Sequence, residues 1–151
     1  MKVQLNARNR GYTFDCDGGE KILFAGLRQG VDLPYECGTG TCGTCKAKLV
    51  SGQVADRWPE AVGRKYLRPD DGQFLMCQCV PATDCVVEVA NFVYATDPGA
   101  CLPRAMAGVI STWKMLTRDV AFWEIELDEP LEFDAGQYVL VGLAGVQGYR
   151  A

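Results

Sequence analysis

Three cysteines lie close together in this chain, and their spacing limits the possible fold more than any other feature. Cys37, Cys42 and Cys45 follow the pattern C-x4-C-x2-C, and further cysteines occur much later, at Cys77 and Cys79. A tight loop can turn three thiolates, the form of cysteine that binds metals, toward one point. The fold must therefore bring the segment around residue 77 back to this loop, so that a fourth thiolate completes a compact centre.

The spacing predicts a [2Fe-2S] cluster, because C-x4-C-x2-C followed by a distant cysteine is the plant-type cluster pattern. Gly38, Gly40 and Gly43 in the same loop support this prediction. Glycine allows a positive φ, which would bring backbone N–H groups close to the sulfurs. Such hydrogen bonds help to set the reduction potential of a cluster.

Two other uses of these cysteines are less favoured. A structural zinc site normally has paired C-x2-C knuckles, and only Cys42 and Cys45 form such a pair. Disulfides would require export, but residues 1–6 lack the apolar segment of a secretory signal. A cytoplasmic location is therefore the default expectation.

The composition excludes several other classes of function. The chain has no His, which removes Rieske-type ligation, His–Cys zinc sites and His-based catalytic triads. Its net charge is -4 without a block of Lys or Arg, so nucleic acid is not an expected partner. No apolar run approaches the roughly 20 residues that a bilayer span needs, so no membrane span is expected.

The hydrophobic pattern of residues 1–93 predicts an α+β domain, a small sheet crossed by one helix. Alternating apolar residues predict a first hairpin, helical spacing that stops at Gly30 predicts a helix, and strand-like composition predicts a later strand pair. These elements span residues 3–16, 20–29, 46–50 and 86–89. Residues 53–72 are irregular and predict a loop with one helical turn around residues 61–67.

A second region is expected beyond a Pro-Gly-containing linker at residues 94–103. Residues 106–113, 121–128 and 137–143 each alternate with the period of a half-buried strand. Three apolar strands within about fifty residues cannot readily bury a core or protect their edges. We therefore expect residues 104–151 to be part of an incomplete antiparallel domain.

Residues 1–92 resemble the plant-type ferredoxin family, which implies a β-grasp fold. Leu75-Met76-Cys77-Gln78 is similar to the family's segment around the fourth ligand. Cys79 also lies on the same side of an extended segment, so spacing alone leaves both cysteines possible. The resemblance favours Cys77. Cys16 and Cys85 continue apolar patterns and are expected to be core residues, whereas Cys101 has no assigned role.

Residues 104–151 resemble the start of the flavin-binding barrel of the ferredoxin-NADP reductase superfamily. Phe133-Asp134-Ala135-Gly136-Gln137-Tyr138 is similar to that family's F-x-x-G-Q-Y segment. Gly148-Tyr149-Arg150-Ala151 matches the first half of its Arg-x-Tyr-Ser flavin motif. The resemblance implies FAD as a second cofactor, with Arg150 and Tyr138 as flavin-binding residues and the first strands of an incomplete antiparallel β-barrel at residues 104–151.

The order ferredoxin then flavin domain resembles the reductase components of bacterial multicomponent oxygenases, most of all those of soluble di-iron monooxygenases. This resemblance implies NADH as electron donor and an oxygenase or its Rieske ferredoxin as acceptor. Tyr35, Glu36, Thr39 and Thr41 are expected to be exposed beside the cluster and are candidates for the docking surface. A stand-alone electron-carrier ferredoxin with a C-terminal extension is the alternative, and a metal-free β-grasp interaction module is a third, less favoured possibility.

Overall fold

The computed structural model describes residues 1–142, which form many short strands and one α-helix. The α+β fold class is therefore confirmed. In chain order the elements are β1 Lys2–Asn6, β2 Gly11–Asp15, α1 Ile22–Arg28, β3 Val31–Asp32, β4 Lys46–Ser51, β5 Val54–Asp56, the 3₁₀ helices η1 Val62–Tyr66 and η2 Pro69–Asp71, β6 Gln73–Leu75, β7 Cys79–Pro81, β8 Cys85–Glu88, β9 Tyr94–Ala95, β10 Gly108–Met115 and β11 Ala121–Leu127.

The main sheet has five strands in the order β2-β1-β8-β4-β6. β1 and β2 form the predicted hairpin, in which Val3 lies opposite Phe14. β8 returns from far along the chain and pairs parallel to β1, and β4 pairs antiparallel with both β8 and β6. Val3 and Leu5 alternate with exposed neighbours along β1, as expected for a strand with one buried face.

Helix α1 crosses this sheet and supplies much of the core. Its buried residues are Ile22, Leu23, Ala25, Gly26 and Leu27, which is the apolar pattern that predicted the helix. Gly30 follows the helix with φ +75, a left-handed conformation that glycine adopts without steric cost. The predicted helix and its end are thus confirmed.

Two short strand pairs correct the sequence-based boundaries. Residues 53–72 are less irregular than expected, because β5 pairs with β7, although η1 does supply the predicted helical turn. The expected linker also begins too early, because Tyr94 and Ala95 pair with β3. Both pairings join residues that are distant in sequence, so local composition did not reveal them.

Strands β10 and β11 form a separate antiparallel hairpin in which every residue is exposed. The expectation of one buried face is wrong for these strands within residues 1–142. The predicted strand at residues 137–143 is also wrong, because residues 137–142 have no regular secondary structure. Arg150 lies outside the described residues. None of the helices in residues 1–142 has the length and apolar character to cross a bilayer.

Candidate metal centre

The loop between Cys37 and Cys45 is shaped by its three glycines. Gly38, Gly40 and Gly43 have φ values of +64, +84 and +79, as the sequence predicted. Residues with a Cβ adopt this region only at a steric cost. The loop can therefore wrap tightly enough for its backbone N–H groups to face the cysteine sulfurs.

Three backbone amides converge on the sulfur of Cys37. The N–H groups of Thr39, Thr41 and Cys42 each donate to this Sγ at 3.4 Å. Burial raises the pKa of the Cys37 thiol, but the hydrogen bonds to the sulfur outweigh burial and lower the pKa to about 6. Cys37 is therefore prepared for the thiolate form that binds metal.

Cys77 lies against Cys45, the last cysteine of the loop. The Cys45 thiol donates to the Cys77 sulfur at 3.1 Å, which raises the pKa of Cys45 and lowers that of Cys77. The backbone holds this approach, because the Met76 N–H donates to the Cys45 carbonyl at 3.0 Å. The Leu23 N–H in turn donates to the Met76 carbonyl at 3.1 Å, so α1 anchors the same segment.

Cys79 has different surroundings although it is only two residues away. It begins β7 and is buried, and burial together with Asp56 raises the pKa of its thiol to about 12. Burial likewise raises the pKa of Cys16 to about 12 and raises that of Cys85. These three buried cysteines have the character of core residues, as predicted for Cys16 and Cys85.

The four cysteines of the loop and the returning segment fit a binuclear cluster. Cys45 and Cys77 are buried against each other, whereas Cys37 and Cys42 are partly exposed and are joined by the amide contact described above. Within residues 1–142, no three Cys, Asp or Glu side chains are arranged to hold a single metal ion. Four thiolates from two neighbouring pairs are the donor set that a [2Fe-2S] cluster requires.

The 3₁₀ helix η1 covers the loop, a role that the sequence did not indicate. The Gly63 N–H donates to the Gly40 carbonyl at 2.8 Å. A Cβ at Gly43 would lie 2.6 Å from Cδ2 of Tyr66. Gly63 and Tyr66 are about twenty residues from the loop, so no local spacing pattern connects them to it.

The other predicted site residues within residues 1–142 lie in the same loop or next to it. The hydroxyl of Tyr138 donates to the Glu36 carbonyl at 2.6 Å, which brings the predicted flavin segment against the loop. The expectation that Thr39 is exposed is wrong, because its hydroxyl faces that of Thr41 at 3.3 Å and the residue is 7% exposed. Glu36 and Thr41 are exposed and Tyr35 is partly exposed.

Comparisons with known proteins agree with this geometry. Residues 5–82 match the family model described as "2Fe-2S iron-sulfur cluster binding domain". The match covers Cys37, Cys42, Cys45 and Cys77, and it confirms the predicted [2Fe-2S] domain.

Similar proteins are reductase components of oxygenase systems, as the resemblance implied. The chain is 34% identical over its whole length to the phenol 2-monooxygenase reductase component DmpP of Pseudomonas sp. (strain CF600), covering 42% of that protein. It is 33% identical over 97% of its length to the xylene/toluene monooxygenase electron transfer component XylA of Pseudomonas putida, covering 41% of it. The solved ferredoxin reductase in carbazole 1,9a-dioxygenase aligns with a TM-score of 0.73 at 30% identity, over 93% of this chain and 42% of that one. The chain thus spans about two fifths of the length of the curated relatives that it matches.

Proposed function

This chain belongs to the family of 2Fe-2S iron-sulfur cluster binding domains, and we propose that it is the N-terminal, electron-transferring part of an NADH-dependent flavin and iron-sulfur reductase. The reductase would supply electrons to an oxygenase component. The observation that carries this proposal is that three backbone N–H groups of the loop point at the Cys37 sulfur while the Cys77 sulfur returns to within 3.1 Å of the Cys45 sulfur at the end of the same loop. We assign Cys37, Cys42, Cys45 and Cys77 as the cluster ligands.

The protein's contribution is to hold and stabilise added negative charge. A [2Fe-2S] cluster accepts and releases one electron at a time when bound. The three amides at Cys37 point N–H dipoles at the sulfur, and such donors favour the more negative, reduced state. Apolar burial around Cys45 and Cys77 keeps water from that side of the site.

The difference in burial between the two cysteine pairs suggests where electrons enter and leave. Cys37 and Cys42 are partly exposed, whereas Cys45 and Cys77 are buried at 1% and 0% exposure. A partner protein can approach closely only on the exposed side. We therefore place the docking surface around Glu36 and Thr41, next to that pair.

The flavin part of the proposal concerns the complete reductase, of which this chain would be the N-terminal part. Tyr138 and Arg150 remain our candidates for FAD contacts, and the 2.6 Å contact of Tyr138 with Glu36 supports a flavin segment adjacent to the cluster loop. NADH would be the donor, because one similar protein is described as the ferredoxin--NAD(+) reductase component of an alkene monooxygenase system. An oxygenase component or its Rieske ferredoxin would be the acceptor, since DmpP and XylA are described as components of monooxygenases. We propose a cytoplasmic setting, in which free thiols stay reduced until a cluster is inserted.

Spectroscopy of the chain purified without oxygen tests the proposal. The visible spectrum and the electron paramagnetic resonance spectrum are recorded before and after dithionite, for the native chain, Cys77→Ser and Cys79→Ser. We expect a rhombic S = 1/2 signal on reduction that Cys77→Ser abolishes and Cys79→Ser retains. A colourless native chain that contains zinc or no metal would overturn the electron-transfer function, whereas a signal lost only in Cys79→Ser would overturn the ligand assignment.

A further inference from the structure

Gln78 places a buried side-chain amide directly beside a proposed cluster ligand. Gln78 is only 1% exposed, and the Nε2 atom of its side chain lies 3.6 Å from the sulfur of Cys77. On the other side, Nζ of Lys21 donates to Oε1 of Gln78 at 3.1 Å. A chain of two hydrogen bonds therefore runs from a half-buried ammonium group to a ligand sulfur.

Lys21 determines which end of the amide faces the sulfur. A lysine ammonium group can donate hydrogen bonds but cannot accept them, so it must face the oxygen of Gln78. The NH₂ group then points toward Cys77, which settles the orientation of an amide that is otherwise ambiguous. Without the ammonium group, nothing in this pair of contacts would prevent the oxygen from turning toward the sulfur.

The side chain of Gln78 is also held in place by packing. A Cβ at Gly40 would lie within 2.9 to 3.1 Å of three Gln78 side-chain atoms, so the loop backbone passes directly over the amide. The backbone of Gln78 is held too, because its N–H donates to the Leu75 carbonyl and its carbonyl accepts from Arg57, both at 3.0 Å. The amide therefore meets the sulfur without further ordering.

We propose that Lys21 and Gln78 form a relay that raises the reduction potential of the cluster, with Lys21 acting by orienting the Gln78 amide. This inference rests on the proposed function, because it takes Cys77 to be a cluster ligand. Reduction adds one negative charge, and a donor aimed at a ligand sulfur stabilises the reduced form more than the oxidised form. Gln78 touches a ligand, and Lys21 is a positioning residue.

The competing explanation is that Lys21 acts only as a point charge. Burial lowers the pKa of Lys21, and the thiols of Cys77 and Cys79 and the carboxylate of Asp56 act in the opposite direction. A positive charge near these groups would raise the potential even without the amide. The two explanations differ in one measurable respect: a relay requires both residues together, whereas a point charge acts independently of Gln78.

A double-mutant cycle, with the reduction potential of the full chain as its readout, distinguishes the relay from the point charge. Potentiometric titration, followed by visible absorption and by the S = 1/2 signal, is applied to the native chain, Lys21→Met, Gln78→Met and the double variant. We expect Gln78→Met to lower the equilibrium constant for reduction about tenfold, which is about 59 mV for one electron. Lys21→Met should lower this equilibrium constant severalfold when Gln78 is present. Adding Lys21→Met to Gln78→Met should cause no additional decrease.

Lys2→Met is the matched control for charge, because Lys2 is exposed on β1, which pairs only with β2 and β8. It should leave the potential unchanged within about twofold in the equilibrium constant, since surface charges are screened. Lys21→Arg keeps a cationic donor and should also stay near the native potential. If Gln78→Met assembles no cluster, Lys21→Gln is compared instead, because it removes the charge but keeps an amide donor for Oε1 of Gln78. A potential near that of Lys21→Arg supports the relay, and a potential as low as that of Lys21→Met overturns it and leaves a point charge.

The outcomes separate this inference from the proposed function. Additive shifts from Lys21→Met and Gln78→Met would overturn the relay and leave a point charge. A native chain with a normal cluster signal but no shift in Gln78→Met would overturn the role of the amide while leaving electron transfer intact. A native chain without a cluster would overturn both.

Discussion

The two β-structured regions of this protein both pair their backbone N–H and C=O groups between strands, but they differ in whether their apolar side chains are buried. Residues 1–95 and the hairpin β10–β11 both form ladders of paired strands. In the first region apolar side chains such as Leu5 are fully buried, whereas in the hairpin Trp113 is 65% exposed. No residue between 94 and 142 is buried.

This difference shows that strand pairing and core formation are separable. A two-stranded hairpin is marginal in water unless a face packs against something else. In residues 1–95, helix α1 packs on the sheet and the returning strand β8 pairs within it, and the same packing positions the cysteine loop. The metal centre is therefore found where the tertiary structure is dense, and the hairpin contributes little to it.

The largest expected effect comes from truncating one apolar side chain in each region. Leu5→Ala should lower the free energy of unfolding by about 2–5 kcal/mol, because it leaves a cavity at a fully buried position. Ile125→Ala in β11, at 39% exposure, should change it by no more than about 0.5 kcal/mol. Urea unfolding of the full chain, followed by circular dichroism, measures both. Equal losses would contradict the difference in packing between the regions.

A glycine substitution tests whether the cluster loop depends on close packing or only on its backbone conformation. Gly40→Ala should destabilise the chain by about 2–4 kcal/mol and reduce cluster content, because a Cβ there would meet Gln78 at 2.9 Å and φ is +84. Gly19→Ala has a similar φ of +89 but no atom within 4 Å, so it should cost only about 1 kcal/mol. Iron and sulfide content and urea midpoints provide the measurement. Full cluster content in Gly40→Ala would show that the loop tolerates the added atom.

The rates of thiol alkylation should differ between Cys37 in the loop and Cys101, which lies outside the core. In the metal-free chain at pH 7, Cys37 should react with iodoacetamide about tenfold faster than Cys101, because only the thiolate is nucleophilic. The pKa of Cys37 is about 6, whereas burial and Asp134 raise that of Cys101. The Cys37 rate should fall as pH drops through about 6. Peptide mass spectrometry after timed labelling reports both rates, and a Cys37 rate that still rises steeply above pH 8 would contradict the lowered pKa.

The smallest effect concerns one ion pair in each region. Glu20 accepts from Arg28 at 2.8 and 2.9 Å, and this contact lowers the pKa of Glu20 below its usual 4.5. Glu20→Gln should therefore cost up to about 1 kcal/mol at pH 7, whereas Glu129→Gln, which loses the exposed Arg104 pair, should cost almost nothing.

The pH dependence of the Glu20 effect has a defined sign. Because folding lowers the pKa, the stabilisation by Glu20 is present above pH 4.5 and is lost as pH falls through the lowered value. The difference between the native chain and Glu20→Gln in urea midpoints should shrink between pH 7 and pH 3. A difference that stays constant over this range would assign the loss to packing instead of charge.

Much of the fold in residues 1–95 could be predicted because its signals are local. The β1–β2 hairpin and helix α1 follow from alternation, helical spacing and Gly30. The two errors in its strand boundaries involve partners distant in sequence, β5 with β7 and β3 with Tyr94. The burial of Thr39 was also missed, because its polar side chain in a glycine-rich loop predicted exposure. In residues 104–142 the alternation predicted β10 and β11 correctly, but it could not reveal that neither face is covered.

The sequence by itself determined the candidate donor set, the [2Fe-2S] chemistry and the glycines that shape the loop, because the spacing of cysteines and the φ preference of glycine are properties of the local chain. The assignment of Cys37, Cys42, Cys45 and Cys77 as ligands stays a prediction. Only the tertiary structure decided that Cys77 faces the loop while Cys79 lies in a buried strand. The physical reason is that the Cys77 sulfur meets the thiol of Cys45, a residue 32 positions earlier in the chain, whereas Cys79 is buried in β7, which pairs with the distant strand β5.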